Sequence, residues 1–247
     1  MDTLFISDVH LSDERPEKFS LFKQLLHGPA GRARAVYILG DLFENFWLGN
    51  DDRNPPHPEI LDELKAFTAG GKPLFIVRGN RDLMLDNGIE ALTGARLLPD
   101  LSVIDLDGKP VLIAHGDVLC TQDVNYQRFR RFMESTATRW LFLHLPYGLR
   151  NSLVRWLTPA FKQSALNKRP DIMDVDDDAV MRTMREHGVD ELIHGHTHRP
   201  GMHELWIDNK PARRIVLGDW YDNELILVCR GAERKLMSVQ DYMQSMD

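Results

Sequence analysis

Cysteine is nearly absent from this sequence: Cys120 and Cys229 are the only two in 247 residues. That scarcity points to a reducing compartment and free, buried thiols, and excludes a disulfide-built fold. Long apolar runs are missing too. No stretch of 18 apolar residues occurs, so no membrane-spanning helix is expected. The start, Met1-Asp2-Thr3-Leu4-Phe5-Ile6-Ser7, has no basic stretch ahead of its apolar residues, so a secretory signal is not expected there. No internal repeat and no low-complexity segment is found. Acidic side chains run short in one place only. Residues 126–169 hold nine Lys or Arg against a single acid, Glu134, and sum to +8, which leaves −15 on the remainder of a chain of net charge −7. Eight aromatics share that segment, among them Tyr126, Phe132, Trp140 and Trp156. A basic, aromatic segment on an acidic body suits a membrane surface or an anionic ligand. The −15 of the body argues against a nucleic-acid partner.

What is present suits one medium α/β domain, with 43% hydrophobic residues to fill its core. Apolar runs at 3–7, 35–39 and 74–77 read as strands, and Phe19, Phe22 and Leu26 set a helical spacing over 16–26. A second helix is expected over 59–69, stopped by Gly70-Gly71. Residues 43–58 read as a loop. Two edge strands near 101–105 and 111–114 join through the hairpin signal Asp107-Gly108. From 122 to 170 the pattern turns helical, with breaks at Pro146 and Pro159. A helix over 175–187 capped by Gly188 follows, then strands at 191–193, 203–207, 213–217 and 224–228. The acids Asp176-Asp177-Asp178 open that helix, where the dipole favours them, and are not read as a metal cluster. The expectation is a single domain over 1–247: a four-layer α/β sandwich flanked by helices, with a helical cap inserted at 122–170.

Five motifs lie in order, each just past an apolar run: Asp8-Val9-His10, Gly40-Asp41, Gly79-Asn80-Arg81-Asp82, His115-Gly116-Asp117 and Gly195-His196-Thr197-His198. Chemistry in α/β sheets gathers at the carboxyl ends of strands, so these loops are where ligands belong. In an extended segment, residues i and i+2 project to one side, so Asp8 and His10 can reach one ion. Asn80 offers a hard, neutral amide oxygen, and Gly79 lets the backbone approach closely. Four histidines, two aspartates and one asparagine, with no thiolate, suit Mn²⁺, Fe²⁺ or Zn²⁺. Asp82 and Asp117 are expected to orient neighbours, and His194 to sit in the core or behind the ligands. His27, His57, His144, His187 and His203 match no motif and are read as structural.

Together the motifs resemble the calcineurin-like metallophosphoesterase superfamily, whose signature is Asp-x-His, Gly-Asp, Gly-Asn-His-Asp/Glu, a lone His and Gly-His-x-His. The resemblance implies a pair of metal ions. One would take Asp8, His10, Asp41 and His198; the other would take Asp41, Asn80, His115 and His196. Asp41 would bridge them, and a bridging hydroxide would attack phosphorus. The departure at Arg81 is informative. Histidine can protonate a leaving alkoxide, whereas arginine stays charged and instead grips phosphate bidentately. The leaving group should then need no proton, as for a phosphate monoester whose last pKa is about 6. That favours diphosphate cleavage over alkyl phosphomonoester cleavage.

The Gly-Asn-Arg-Asp variant, with 37–44 (Tyr-Ile-Leu-Gly-Asp-Leu-Phe-Glu), Leu119-Cys120-Thr121, Ile172-Met173-Asp174-Val175, His194 to Pro200 and 215–220, is similar to the UDP-2,3-diacylglucosamine diphosphatase family of bacterial lipid A biosynthesis. That resemblance implies attack at the α-phosphorus of UDP, release of UMP and a diacylglucosamine 1-phosphate, and two Mn²⁺ per chain. Arg81, Asp41 and Asn80 would be catalytic. Substrate contacts would fall on Asn80, Arg81, Asp123, Lys168 and His196, and on positions 161 and 165 of the same helix face. Here those are Phe161 and Ala165, which offer no polar group and are confined to packing. Asp123 could equally be a helix N-terminal acid. A basic aromatic cap would bury acyl chains and rest on anionic headgroups, at the cytoplasmic face of the inner membrane. No obligate protein partner is expected. A soluble nucleotide or dinucleotide hydrolase of the same fold would leave that cap unexplained. A non-catalytic scaffold would not be expected to keep all seven ligands.

Overall fold

The computed structural model describes residues 1–44, 46–49, 57–166, 174–221 and 224–246; of 157 and 159–166 it describes the backbone alone. Among the described residues, eleven strands form two sheets. The first has β1 (Thr3–Ile6), β2 (Ala35–Leu39), β3 (Leu74–Val77) and β4 (Arg96–Leu98) in parallel, with β10 (Leu225–Arg230) antiparallel beside β1 and β11 (Glu233–Ser238) antiparallel beside β10. The second runs β5 (Leu101–Leu106), β6 (Lys109–Ala114), β7 (Glu191–His194), β9 (Lys210–Val216), β8 (Gly201–Ile207), with β6, β7 and β9 parallel.

The strands of the first sheet are apolar on both faces because both faces are covered. Leu4, Ile6, Val36, Ile38, Leu74 and Ile76 face helices α1 (Pro16–His27), α2 (His57–Ala69) and α8 (Val239–Gln244). The alternate residues Phe5, Tyr37, Leu39 and Val77 face the second sheet, where Val111, Ile113, Ile193 and Ile215 meet them. Phe5, Tyr37 and Phe75 stack across three strands at 4.8 and 4.6 Å between ring centroids. The outer face of the second sheet, with Leu112 and Leu192, packs on Val180 and Met184 of α7 (Asp177–His187). The order is therefore helix, sheet, sheet, helix, the expected four-layer α/β sandwich.

Several details differ from the sequence reading. β6 is interior, because β7 pairs along its other side. The short strand β4, the strand β11 and helix α8 were not anticipated. The helical stretch divides into α4 (Val124–Glu134), α5 (Thr136–His144) and α6 (Tyr147–Leu166). α6 runs on through Pro159: proline removes one intrahelical bond there without ending the helix. The unforeseen break is at Ser135, whose hydroxyl accepts from the Thr138 amide and starts α5 afresh. A short helix α3 (Gly88–Thr93) follows the third motif. Asp176 caps α7 by accepting from the amides of Asp178 and Ala179, and Gly188 closes it at φ 65°.

Candidate active site

All five motifs follow the carboxyl ends of β1, β2, β3, β6 and β7, and backbone bonds tie the loops together. Asp8 N donates to Gly40 O at 3.1 Å, His10 N to Asp41 O at 3.0 Å, and Gly195 N to His115 O at 2.7 Å. Two glycines are obligatory by space: a Cβ on Gly79 would overlap Asp41, and one on Gly195 would overlap Ser7 and Asp8. Asp8, His10, Asp41, His196 and His198 all have left-handed backbone, with φ between 51° and 70°. This corrects the sequence argument. Asp8 and His10 converge through two left-handed turns and not through the pleat of an extended strand. The same geometry lets His196 and His198 turn to different partners.

Those partners form two groups. In the first, Asp8 Oδ1 lies 3.2 Å from His198 Nε2 and 4.0 Å from His10 Nε2, which in turn is 3.8 Å from Asp41 Oδ2. In the second, His115 Nε2 lies 3.0 Å from Asn80 Oδ1, 3.1 Å from His196 Nδ1 and 3.8 Å from Asp41 Oδ1. Asp41 thus turns one oxygen to each group. Neighbouring ligand atoms on an octahedral ion with bonds near 2.1 Å stand about 3 Å apart, so these separations fit ions between the side chains. His10 is buried, yet neither of its ring nitrogens has a hydrogen-bond partner among the described residues, which leaves Nε2 available to an ion. Imidazole, carboxylate and amide donors without thiolate complete the fit to Mn²⁺-type ions.

The candidate ligands are held from behind. His115 Nδ1 lies 2.8 Å from Leu39 O, His198 Nδ1 3.1 Å from Asp219 Oδ2, and His10 Nδ1 3.2 Å from Glu44 Oε2. Ser7 Oγ donates to Asp8 Oδ2 at 2.6 Å, and His196 N to the same oxygen at 2.8 Å. Burial works to lower the His115 pKa, but Asp41, Asp8 and Asp117 outweigh it and raise it to about 9. Burial likewise opposes His198, while its bonds to Asp219 and Asp8 raise it to about 10. A negative field that holds protons on these rings will hold a dication in their place. Asp82 accepts from the amides of Leu42 (3.1 Å) and Gly79, locking the second motif to the third, and burial with Asp41 pushes it up to about 6. His194 is fully buried, lies 2.9 Å from Gly195 O through Nδ1, and is pushed down to about 3 by burial, as a neutral core histidine.

Arg81 stands at the border of the metal-ligand groups and an apolar cavity of about 310 Å³. The cavity is lined by Asn80 and Arg81 at one end, and by Trp47, Met84, Phe129, Phe142 and Val154 among others. Phe46 lies under the Arg81 guanidinium, 5.1 Å from ring centroid to Cζ. Asp123 is the N-cap of α4, its carboxylate accepting from Tyr126 N at 3.1 Å. Lys168 and the side chains of Phe161 and Ala165 lie outside the described residues. The cationic excess of 126–169 is only partly a surface property. Arg130 turns inward to Asp117 and Asp100, Arg139 donates to the carbonyls of Leu83 and Leu85, and Arg150 to those of Leu48 and Gly49. Sequence reasoning gave no role to Glu44, Asp219 or Tyr221, although their motif strings contain or adjoin all three. Metal-ligand spacing does not reveal a residue that acts from behind a ligand.

Residues 1–200 match the calcineurin-like phosphoesterase family. A UDP-2,3-diacylglucosamine hydrolase of Aeromonas hydrophila is 44% identical over 236 residues, covering 96% of this chain and 98% of its own. Its counterpart in Pseudomonas aeruginosa PAO1 is 47% identical over 220 residues, covering 89% and 91%. Among solved structures, an archaeal phosphodiesterase shares the fold, with a TM-score of 0.50 at 14% identity over 96% of this chain and 99% of that one. The chain belongs to the calcineurin-like phosphoesterase family, and to the same family as these UDP-2,3-diacylglucosamine hydrolases.

Proposed function

We propose that the chain is a hydrolase of lipid A biosynthesis that cleaves the diphosphate of UDP-2,3-diacylglucosamine. Water attacks the α-phosphorus, and UMP and 2,3-diacylglucosamine 1-phosphate leave. The observation that carries this reading is the apolar cavity opening beside Asn80 and Arg81, at the edge of the metal-ligand groups. A soluble nucleotide has nothing to place in such a cavity; an acyl chain does, at about 0.8 kcal/mol per buried CH₂. The names of the relatives at 44% and 47% identity support the same substrate.

Two Mn²⁺ are assigned to the chain. Asp8, His10, Asp41 and His198 would hold one, and Asp41, Asn80, His115 and His196 the other. Bound there, the ions supply an activated water at neutral pH and offset charge on the phosphoryl oxygens. The remaining work belongs to side chains. Arg81 grips the phosphate and steadies charge on the departing group without giving up a proton. Asn80, Arg81, Asp123 and His196 contact the sugar and phosphates, joined by Lys168; Phe161 and Ala165 pack against the substrate, and all three lie beyond the described side chains. One domain spans 1–247, and 122–170 form its cap.

No described helix is long and apolar enough to cross a membrane. Seven of the eleven exposed large hydrophobics lie on α4 to α6, including Phe132, Trp140, Leu141 and Trp156, with Arg128, Arg131 and Arg155 exposed among them. That face rests on the anionic cytoplasmic surface of the inner membrane. The test is hydrolysis of UDP-2,3-diacylglucosamine by metal-stripped protein with added Mn²⁺ in H₂¹⁸O. The expected product is UMP carrying ¹⁸O. Label in the lipid phosphate instead would place attack at the other phosphorus. Cleavage of soluble nucleotides with none of the lipid would overturn the substrate.

A further inference from the structure

We infer that Glu44 is a positioning residue that sets His10 and Arg81 from one carboxylate, with Tyr221 fixing it in place. This rests on the reading of His10 as a metal ligand and of Arg81 as the group that grips phosphate. The backbone brings Glu44 to this spot. Past the ends of β1 and β2 the two chains stay paired for one more step: Leu11 N donates to Leu42 O at 2.9 Å and Glu44 N to Leu11 O at 3.1 Å. Glu44 therefore stands beside His10 on a fixed ribbon, although no helix or strand contains it.

Its two oxygens serve different neighbours. Oε2 accepts the Tyr221 hydroxyl and faces His10 Nδ1 at 3.2 Å. Oε1 faces Arg81 Nη2 at 3.9 Å. With Nε2 given to an ion, the His10 ring proton would sit on Nδ1, the nitrogen that Glu44 Oε2 faces. A carboxylate behind an imidazole fixes its tautomer and raises its basicity toward metal. The Arg81 contact is loose, which suits a guanidinium that must leave room for phosphate. Glu44 on one side and Phe46 beneath still keep it at the mouth of the cavity. Tyr221 is itself pinned. Its ring packs on His10 at 4.9 Å between centroids, with Arg15 and Lys18 over it at 4.3 and 4.9 Å. Its amide donates to Asp219 Oδ1 at 2.7 Å, beside the fully buried Trp220.

A carboxylate that merely fills space would, on removal, lower stability alone. A positioning carboxylate moves metal affinity and turnover with little change in melting. The test compares Glu44→Gln, Glu44→Asp, Tyr221→Phe and His10→Ala with the unaltered full chain. Mn²⁺ binding to the metal-stripped protein is read from the electron paramagnetic resonance of free Mn²⁺, alongside kcat, KM and Tm. Glu44→Gln is expected to weaken one of the two Mn²⁺ positions about 10–100-fold and leave the other alone. It should also lower kcat more than it raises KM. Glu44→Asp should restore part of both losses, and Tyr221→Phe should shift both the same way by less. If His10→Ala loses that Mn²⁺ position while Glu44→Gln and Tyr221→Phe bind both ions within twofold of normal, the inference is wrong and the metal reading stands. If His10→Ala itself binds both ions normally, the metal reading has failed first. Should Glu44→Gln melt far below the unaltered chain, Tyr221→Phe decides, since it keeps every charge.

Discussion

Arg130 is the side chain whose loss should cost this fold most among the charged residues of the cap. It enters a pocket of three acids: Nε donates to Asp117 at 2.9 Å, Nη2 to Asp100 at 2.8 Å and Nη1 to Glu134 at 2.6 Å. The Tyr126 hydroxyl donates to Asp117 as well. Arg130 and Asp117 are only 7% and 1% exposed, whereas Asp100 and Glu134 keep 20% and 23%. Burial pushes the Asp117 carboxyl up, but His115 and Arg130 outweigh it and hold it below the usual range. Arg130→Met keeps most of the volume and strips the charge, leaving Asp117 buried with Tyr126 alone. Breaking a buried pair from one side costs about 3–5 kcal/mol. The partly exposed Asp100 and Glu134 contacts add at most about 1 kcal/mol each. At roughly 2–4 °C per kcal/mol for a chain of this size, Tm should fall by about 6–28 °C.

The pH dependence carries a sign that a generic packing defect would not show. Asp117 and Asp100 are depressed in the fold, so their contribution is present above their unfolded pKa of 3.8 and is lost as pH falls through their folded values. The Arg130→Met penalty should therefore be largest near pH 7 and shrink toward pH 4, where the orphaned acids take up protons. Glu134 behaves oppositely. Burial, opposed by Arg130 and reinforced by Asp100, lifts it from 4.5 to about 7, so the unaltered fold loses stability as pH rises between those values. Glu134→Gln should flatten that stretch. Thermal and urea melts at pH 4.5, 6 and 7.5 measure all of this, and adding Asp117→Asn to Arg130→Met should recover part of the loss. A penalty below about 1 kcal/mol at pH 7, or one that grows as pH falls, would refute the argument.

Two further outcomes follow from the site and the cap. Arg81→Ala should lower kcat about 100–1,000-fold, as for loss of one stabilising donor, without changing Mn²⁺ affinity, and Arg81→Lys should restore only part because it lacks the planar fork; a kcat within tenfold of normal for Arg81→Ala would remove arginine from the chemistry. Replacing the exposed Trp140 and Trp156 together by glutamate should weaken sedimentation with anionic vesicles several-fold at low salt and leave the melting temperature within a few degrees, since both are 60% exposed or more; unchanged vesicle binding would detach the cap from the membrane.

Much of the fold was legible because two-sided burial writes itself into sequence. Strands such as 35–39 and 74–77 are apolar throughout, so existence and limits were both readable. β4 was not, since one exposed and two half-buried edge residues give no period. β11 was missed because Glu233, Arg234, Lys235 and Ser238 hide the pattern, although Arg234 is buried against Glu191 at 2.6 Å. The candidate ligand set could be proposed from sequence because residue type and strand-end position coincide. Glu44 and Asp219 were not, because a residue behind a ligand needs only reach and charge, which many surface acids have. The insert misled in one respect. Arg130, Arg139 and Arg150 count as surface charge in a sum over residues, yet each spends its guanidinium on the body. Two of them grip loops that follow the second and third motifs.

The backbone at the ligands explains why these residue types recur together. Five candidate ligands sit in left-handed conformation, which costs an ordinary side chain about 1–2 kcal/mol each. Summed without relief, that rivals the entire net stability of a domain, about 5–15 kcal/mol. Aspartate and histidine are among the residues that tolerate this region best, and they are also the oxygen and nitrogen donors a Mn²⁺-type site wants. The remaining strain is shared through the amides, because the strained residues bond to one another's loops: Asp8 to Gly40, His10 to Asp41, and His196 to the Asp8 carboxylate. No single loop can therefore adopt its ligand geometry alone. The left-handed turn also does what a pleat cannot. It lets His198 join Asp8 while His196, two residues earlier, reaches His115, so one four-residue motif serves both groups.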